Sequence, residues 1–194
     1  MTDLTIEVTY FEKPGRENTD QAIKIAKKYA DQFKVKDIIM ASTTGTVAEK
    51  VIKLFNPSDY NLVVITHSYY FVGSEKRQEF PDEKIFALKE KGVKVFIGTH
   101  ALAGPERSIR RSLNQWGPIE LMAKYLREQF SQGTKVCMEI ATMAVDAGMV
   151  EDLERDVICI GGSGRGADTV CLIKPAPTSL FDKLRVKAIL CKPL

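Results

Sequence analysis

The segment Gly161–Thr169 contains four glycines within six positions and lies between two apolar runs, Val157–Ile160 and Val170–Ile173. Glycine adopts backbone angles closed to other residues and lets a ligand lie directly against main-chain N–H groups. With Arg165 and Asp168 added, this composition predicts a loop that binds an anionic small molecule.

The same segment formally matches the dinucleotide fingerprint G-x-G-x-x-[G/A] over residues 162–167. That fingerprint requires a helix directly after the loop. Residues 169–174 are instead β-branched and apolar and end before Pro175, which is typical of a strand. We therefore reject NAD binding for this loop.

A second cluster of reactive groups follows the apolar run Ile38–Ala41. It is the turn Ser42–Thr46, in which four hydroxyl residues surround Gly45 at the start of a predicted helix. The free N–H groups and the positive end of a helix dipole favour a phosphate at such a turn. The alternative is a simple helix cap, which needs only one hydroxyl, from Ser42 or Thr43.

The two histidines of the chain, His67 and His100, each lie just past an apolar strand-like run. Their matched positions predict a shared cleft, although each ring could instead only cap a strand end. Acid–base chemistry is open to both, because a small pKa shift brings an imidazole to neutrality. Two histidines without a carboxylate pattern fall short of a metal coordination set, so no metal site is expected.

Three further groups each have two interpretations. The aromatic run Tyr69–Phe71 either packs or offers a flat surface to a ligand ring. The arginines at 107–111 either reach a phosphate or form an exposed basic face. Glu139 and Asp146 share one face of a predicted helix, which borders the cleft or meets solvent.

The composition narrows the class of protein. Of the 194 residues, 44% are hydrophobic and 27% charged, as in ordinary globular proteins. A net charge of +3 argues against a dedicated nucleic-acid binder. No apolar stretch reaches the roughly 20 residues needed to span a membrane, and the N-terminus does not resemble a signal peptide. We expect a cytoplasmic protein with a small-molecule ligand and without a nucleic-acid or membrane partner; the sequence leaves open whether it forms a homo-oligomer.

The four cysteines form no C-x-x-C pair, and three of them lie in apolar runs. There cysteine usually behaves as a small buried hydrophobe. We therefore expect neither a structural zinc site nor a disulfide framework.

Strands and helices alternate through the first half of the chain. Strands are predicted at 4–10, 38–41, 62–65 and 93–97, and helices follow the first three of them. The second half begins with helices near 106–113, 118–130 and 134–147 and ends with strands at 157–160, 169–174 and 186–191. This order predicts one α/β domain over 1–194, with three layers, a mostly parallel sheet with helices on both faces and an antiparallel end. Ligands of such sheets bind beyond the carboxyl ends of the strands.

Several of these motifs together resemble the stand-alone archaeal proteins related to the pyruvate kinase C-terminal α/β domain. The segments that carry the resemblance are Ala41–Ala48, Thr66-His67, Ile97–Leu102, Val136–Ala141, Asp146–Gly148 and Ile160–Thr169. The likeness runs across nearly the whole chain and implies a pyruvate kinase C-terminal-domain-like fold. Since no catalytic barrel is present, no pyruvate kinase activity is expected.

The resemblance implies FMN as the cofactor. The Ser42–Thr46 turn would take the FMN phosphate, and the other matching residues would surround the ribityl chain and the isoalloxazine ring. The cofactor-binding residues implied in this way are Ser42, Thr43, Thr44, Gly45, Thr46, His67, Gly98, Thr99, His100, Gly161, Gly162, Ser163, Gly164, Arg165 and Asp168.

Two functions follow from these expectations. The first is an FMN-binding protein, which would act as a flavin-dependent redox enzyme if the cofactor carries chemistry there. The second is a non-catalytic binding or regulatory domain for a phosphorylated metabolite, because the pyruvate kinase domain itself carries an allosteric phosphosugar site in some species. No Ser-His-Asp order, H-E-x-x-H or G-x-x-x-x-G-K-[ST] motif is present, so the catalytic residues stay unassigned.

Overall fold

The computed structural model describes residues 3–194, and a seven-stranded sheet forms its centre. In chain order the strands are β1 (Thr9–Phe11), β2 (Asp37–Ala41), β3 (Asn61–His67), β4 (Lys94–Gly98), β5 (Val157–Gly161), β6 (Thr169–Lys174) and β7 (Arg185–Pro193). Their order across the sheet is β1-β7-β6-β5-β2-β3-β4. Only β5–β6 and β6–β7 pair antiparallel, so the predicted mostly parallel sheet with an antiparallel end is confirmed.

Helices cover both faces of the sheet. They are α1 (Thr19–Phe33), α2 (Thr46–Val51), α3 (Asp82–Glu90), α4 (Gly104–Leu113), α5 (Pro118–Gln129) and α6 (Gln132–Asp146), with short 3-10 helices at Arg16–Asn18 and Thr178–Lys183. One buried cluster joins the sheet to α1, α2 and α3, and a second joins its other face to α6. Apolar positions explain this docking: Ala22, Ile23, Ala26 and Ala30 form one buried stripe along α1.

The predicted strand at 4–10 is wrong in its extent, because only Thr9–Phe11 is a strand. Here β1 pairs in parallel with the last three residues of β7, Cys191–Pro193. The alternation of Leu4, Ile6 and Val8 does not correspond to a buried face, since Leu4 and Val8 are exposed. Apolar alternation without a pairing partner does not make a strand.

The central strands β5, β2, β3 and β4 run in the same direction. Their carboxyl ends therefore meet at one edge of the sheet, and the segments that leave them start side by side. Ser42 N–H donates to the Ile65 carbonyl at 3.1 Å, which ties the exit of β2 to the neighbouring β3. Among residues 3–194, no helix is long and apolar enough to cross a membrane.

Candidate functional site

A cleft of about 460 Å³ lies at this carboxyl edge. Its walls come from the exits of β2, β3, β4 and β5, from the segment after β3, and from one face of α6. The lining residues that carry polar or aromatic groups are Ser42, Thr43, Thr66, His67, Phe71, Glu79, His100, Gln132, Glu139, Ser163 and Arg165, and Gly162, Gly164 and Gly166 also face it. This position is the one where open parallel sheets bind ligands.

The exit of β2 presents backbone N–H groups without acceptors. Within residues 3–194, no protein group accepts a hydrogen bond from the N–H of any residue in 43–47. Thr43 and Val47 line the cleft. The Ser42 hydroxyl accepts from the Ala48 N–H at 3.3 Å, so one hydroxyl of the turn acts as the helix cap. The turn therefore combines the predicted cap with a set of free donors suited to an anion.

The rest of this turn lies outside the cleft lining. Gly45 has φ 89° and is buried under Phe80, whose Cε2 would be 2.7 Å from an added Cβ. A glycine is therefore needed here because the backbone is left-handed and a side chain would clash with Phe80. Thr44 and Thr46 make a hydroxyl–hydroxyl contact of 3.1 Å, and Thr46 is exposed. Of the five implied turn residues, the structure brings only Ser42 and Thr43 to the cleft.

The glycine loop is the connection of a β-hairpin. It joins β5 to the antiparallel β6, so the strand predicted after the loop is confirmed. Gly164 and Arg165 have φ 57° and 62°, and Gly166 N–H donates to the Ser163 carbonyl at 3.1 Å. Two successive left-handed residues closed by this bond are typical of a type I′ turn. This turn carries Arg165, which lines the cleft.

Four further implied residues, Gly98, Thr99, Gly161 and Asp168, do not line the cleft. Asp168 is fully buried; it accepts from Gly15 N–H at 3.0 Å and from the Thr169 hydroxyl at 2.8 Å. Those bonds fasten the chain before α1 to the base of the glycine loop. Gly161 is buried within β5, while Gly98 ends β4 and Thr99 is exposed beside it.

His67 and His100 lie side by side in the cleft, with ring centroids 5.0 Å apart. His67 ends β3 and is in register with Gly98 of β4, which places the two strand exits next to each other. The Phe71 ring lies 4.0 Å from His67 and 4.9 Å from His100, nearly parallel to the latter. The structure thus joins the two histidines with one aromatic of the run after β3.

Each histidine faces a carboxylate through Nδ1. His67 Nδ1 lies 3.6 Å from Glu79 Oε2, and His100 Nδ1 lies 3.6 Å from Glu139 Oε2. Neither buried Nδ1 has a hydrogen-bond partner among the described residues. The two carboxylates are themselves nearly enclosed, with 5% of the Glu79 and 2% of the Glu139 side chain exposed.

The partners of the two carboxylates differ. Glu79 accepts from Arg165 of the glycine loop, whose guanidinium is largely exposed. Glu139 pairs with the buried Lys135 and accepts from the Leu102 N–H at 3.0 Å. One carboxylate thus faces a solvent-exposed cation, and the other a cation enclosed in the core.

These surroundings shift the pKa values of the histidines. Burial lowers the pKa of His67, and the carboxylate of Glu79 opposes that shift. Burial also lowers the pKa of His100, to about 3, and the positive charge of Lys135 adds to this effect. Both imidazoles are therefore neutral at pH 7, and His100 stays neutral far into the acid range.

Sequence reasoning missed Glu79, Gln132 and Lys135. Glu79 lies in a polar loop and reaches the cleft only through the path of residues 68–80, which no local pattern specifies. Of the two acids singled out on α6, Glu139 lines the cleft, whereas Asp146 accepts from the backbone and hydroxyl of Thr178 at its far end.

The cleft contains polar groups but no metal-binding geometry. Among residues 3–194, no three His, Cys, Asp or Glu side chains are grouped so that they could hold a metal ion. All four cysteines are free and buried, and burial raises the pKa of Cys191 to about 12. A comparison of the sequence with models of known protein families finds no family that matches.

Proposed function

We propose that the cleft binds a phosphate-bearing small molecule and that this molecule is FMN. The observation that carries the proposal is that Thr43 and Val47, which line the cleft at the exit of a central parallel strand, both have backbone N–H groups without a hydrogen-bond partner among residues 3–194. Such donors stabilise a phosphate without a dedicated basic side chain. The ligand itself is the one implied by the resemblance to the pyruvate kinase C-terminal domain.

The residues present fit this cofactor. A volume of about 460 Å³ lies within the range of pockets for ligands of this size. With the phosphate at Ser42 and Thr43, the glycine loop would flank the ribityl chain, and the Phe71 side of the cleft would face the ring. FMN would supply redox chemistry there, while the protein would orient it and exclude water.

A second candidate is a small phosphorylated metabolite, held at the same phosphate site. The observation that favours it is the pair His67 and His100, which supplies two neutral imidazoles to the cleft. Holding a flavin ring needs flat and apolar contacts more than it needs two imidazoles. Either ligand is consistent with an absence of pyruvate kinase activity.

Colour tests the proposal directly. Protein purified without added ligand should be yellow and absorb near ~450 nm if it retains flavin. The compound released on denaturation should then be FMN by mass. A colourless preparation that also leaves the fluorescence of added FMN unchanged would contradict FMN binding. Phosphate-bearing metabolites would then be screened against the same preparation by ligand-detected NMR.

A further inference from the structure

We infer that two copies of this chain associate through the outer side of α4 and the segment that joins α4 to α5. The apolar side chains of this surface, called the dimer face below, are Ile109, Leu113, Trp116 and Ile119, and all four are exposed to solvent. None of them lines the cleft, so the inference stands apart from the proposed ligand.

The polar and apolar sides of α4 are reversed relative to the domain. Its inner side carries Arg107 and Arg110, whose side chains are only 22% and 28% exposed and lie 3.6 and 2.7 Å from the buried carboxylate of Glu120. Its outer side is apolar, with 44% of Ile109 and 63% of Leu113 exposed. A helix of a monomeric domain normally turns its apolar stripe towards the core. The reversal indicates that the apolar side of α4 packs against another molecule.

Packing inside the monomer gives α4 little apolar support. None of the ten residues of Gly104–Leu113 is buried within the described part of the chain. Isolated helices of this length are marginal in water, and most helical stability in proteins comes from packing of an apolar face. The ion pairs with Glu120 hold α4 beside α5 but leave its apolar side chains in water. A partner on the dimer face supplies the missing packing.

The segment after α4 has the composition of an interface core. Residues 112–119 contain no charged side chain, although 27% of the whole chain is charged. Every residue of this segment except Gly117 is exposed, and Trp116 is the only tryptophan of the chain. The buried core of a protein–protein interface is depleted of charged residues and enriched in aromatic ones. The segment therefore fits the centre of a contact better than an ordinary solvent-exposed turn.

The charges beside the dimer face favour a second copy as the partner. Arg110 and Lys124 lie over the Trp116 ring, 4.8 and 5.3 Å from its centroid. Both have a carboxylate of the same chain nearby, Glu120 for Arg110 and Glu128 for Lys124. A strongly charged partner would therefore bury its own charges here without counter-charges, which is costly. The same uncharged, apolar face on a second copy avoids that cost.

Two-fold symmetry makes the face self-complementary. Ile109 and Leu113 are one turn apart on the same side of α4, and Trp116 and Ile119 follow within six residues. When two α4 helices pack antiparallel around a two-fold axis, Ile109 of each copy lies opposite Leu113 of the other. Such an isologous contact closes at two copies and leaves no apolar side chain of α4 without a partner.

Sedimentation velocity tests the inference. At micromolar concentration the wild type should sediment as a dimer, with twice the chain mass of 21.7 kDa. Leu113→Asp should raise the dissociation constant of the dimer by about 10²-fold or more, because each dimer then buries two unpaired carboxylates. The matched control is Phe86→Asp, which changes an equally exposed apolar residue of α3 and should remain a dimer. Circular dichroism checks that all three proteins are folded alike.

Trp116 gives a second measurement that needs no substitution. As dilution dissociates the wild-type dimer, water reaches the indole ring, and its fluorescence should shift to longer wavelength. Leu113→Asp should emit at the longer wavelength at every concentration. The inference is wrong if the wild type sediments as a monomer, or if Leu113→Asp associates as strongly as the wild type. A dimer that dissociates on dilution without any change in Trp116 emission would likewise show that the copies meet through another surface.

Discussion

Arg165 donates from both Nε and Nη2 to a single oxygen of Glu79, at 3.1 and 2.7 Å. The two residues are 86 positions apart and come from segments that flank the exit of β2 on either side. Their ion pair therefore spans the site at which we propose the phosphate binds. An anion that approaches Arg165 must compete with the carboxylate of Glu79.

Glu79→Gln should strengthen FMN binding several-fold, because it removes that carboxylate and leaves the guanidinium available. Arg165→Gln should weaken binding. The measurement is the dissociation constant from quenching of FMN fluorescence, with Glu83→Gln as the control. Weaker binding in Glu79→Gln would show that the carboxylate supports the ligand instead of competing with it.

Thr43→Glu should abolish binding of FMN while the fold is retained. The new carboxylate would lie beside the free N–H groups at 43–47, where it would both occupy and repel the phosphate. Thr43→Gln has a similar size without the charge and should retain most of the affinity. Equal affinities of the two variants in the same titration would locate the phosphate elsewhere.

The pKa of His100 makes the stability of the protein depend on pH. Its value is about 3 in the folded chain and an ordinary 6.5 when unfolded, so below pH 6.5 the unfolded state binds the extra proton. The contribution is fully present above pH 6.5 and is lost as the pH falls towards 3. From pH 7 to pH 5 the free energy of unfolding should therefore fall by about 2 kcal/mol. Urea unfolding at both pH values should show that His100→Asn loses less free energy of unfolding than the wild type. An equal loss in the two proteins would contradict a neutral His100 in the folded state.

Lys135→Met should be strongly destabilising, because it leaves the buried carboxyl group of Glu139, one turn away on α6, without its cation. Breaking a buried pair in this way costs about 3–5 kcal/mol. The double variant Lys135→Met/Glu139→Gln should recover much of the loss, since glutamine still accepts from Leu102 N–H. Urea unfolding of both single variants and the double variant gives the coupling energy. Additive losses would show that the two side chains do not interact.

Asp168→Asn should affect stability more than ligand binding. The substitution removes one of the two acceptor oxygens used by Gly15 and Thr169, at an expected cost of about 1–3 kcal/mol. FMN affinity should stay close to that of the wild type, because the side chain does not reach the cleft. If Asp168→Asn lost as much FMN affinity as Thr43→Glu, Asp168 would have to contribute to ligand binding.

The alternation of apolar runs with helical periodicity predicted most of the fold. The strands at 38–41 and 157–160 are continuous apolar runs, as expected for central strands covered on both faces. The helix expected after the strand at 62–65 was predicted correctly and is α3 (Asp82–Glu90). The extent of the strand at 4–10 was predicted wrongly. Only the residues that pair with Cys191–Pro193, near the other end of the chain, form the strand, and the local sequence carries no signal of that pairing.

The site was predicted in part, and the division has a physical reason. Residues at the carboxyl end of a strand or directly after it, such as His67 and Ser42, lie in the cleft because the sheet topology brings these ends together. Asp168 and Gly45 were assigned to the same site, but Asp168 accepts hydrogen bonds from Gly15 and Thr169 and Gly45 packs under Phe80, which only three-dimensional contacts reveal. Glu79 was missed because it arrives through an irregular loop.

The hairpin between β5 and β6 gives the two walls of the cleft unequal freedom to change during evolution. Pairing of Gly161 with Thr169 holds both ends of that loop, so residues can be added or removed between them without redirecting the chain. The turn after β2 has no such freedom, since it must deliver α2 onto the sheet. Ligand preference can therefore diverge by loop length on one side of the cleft while the anion site on the other stays constant.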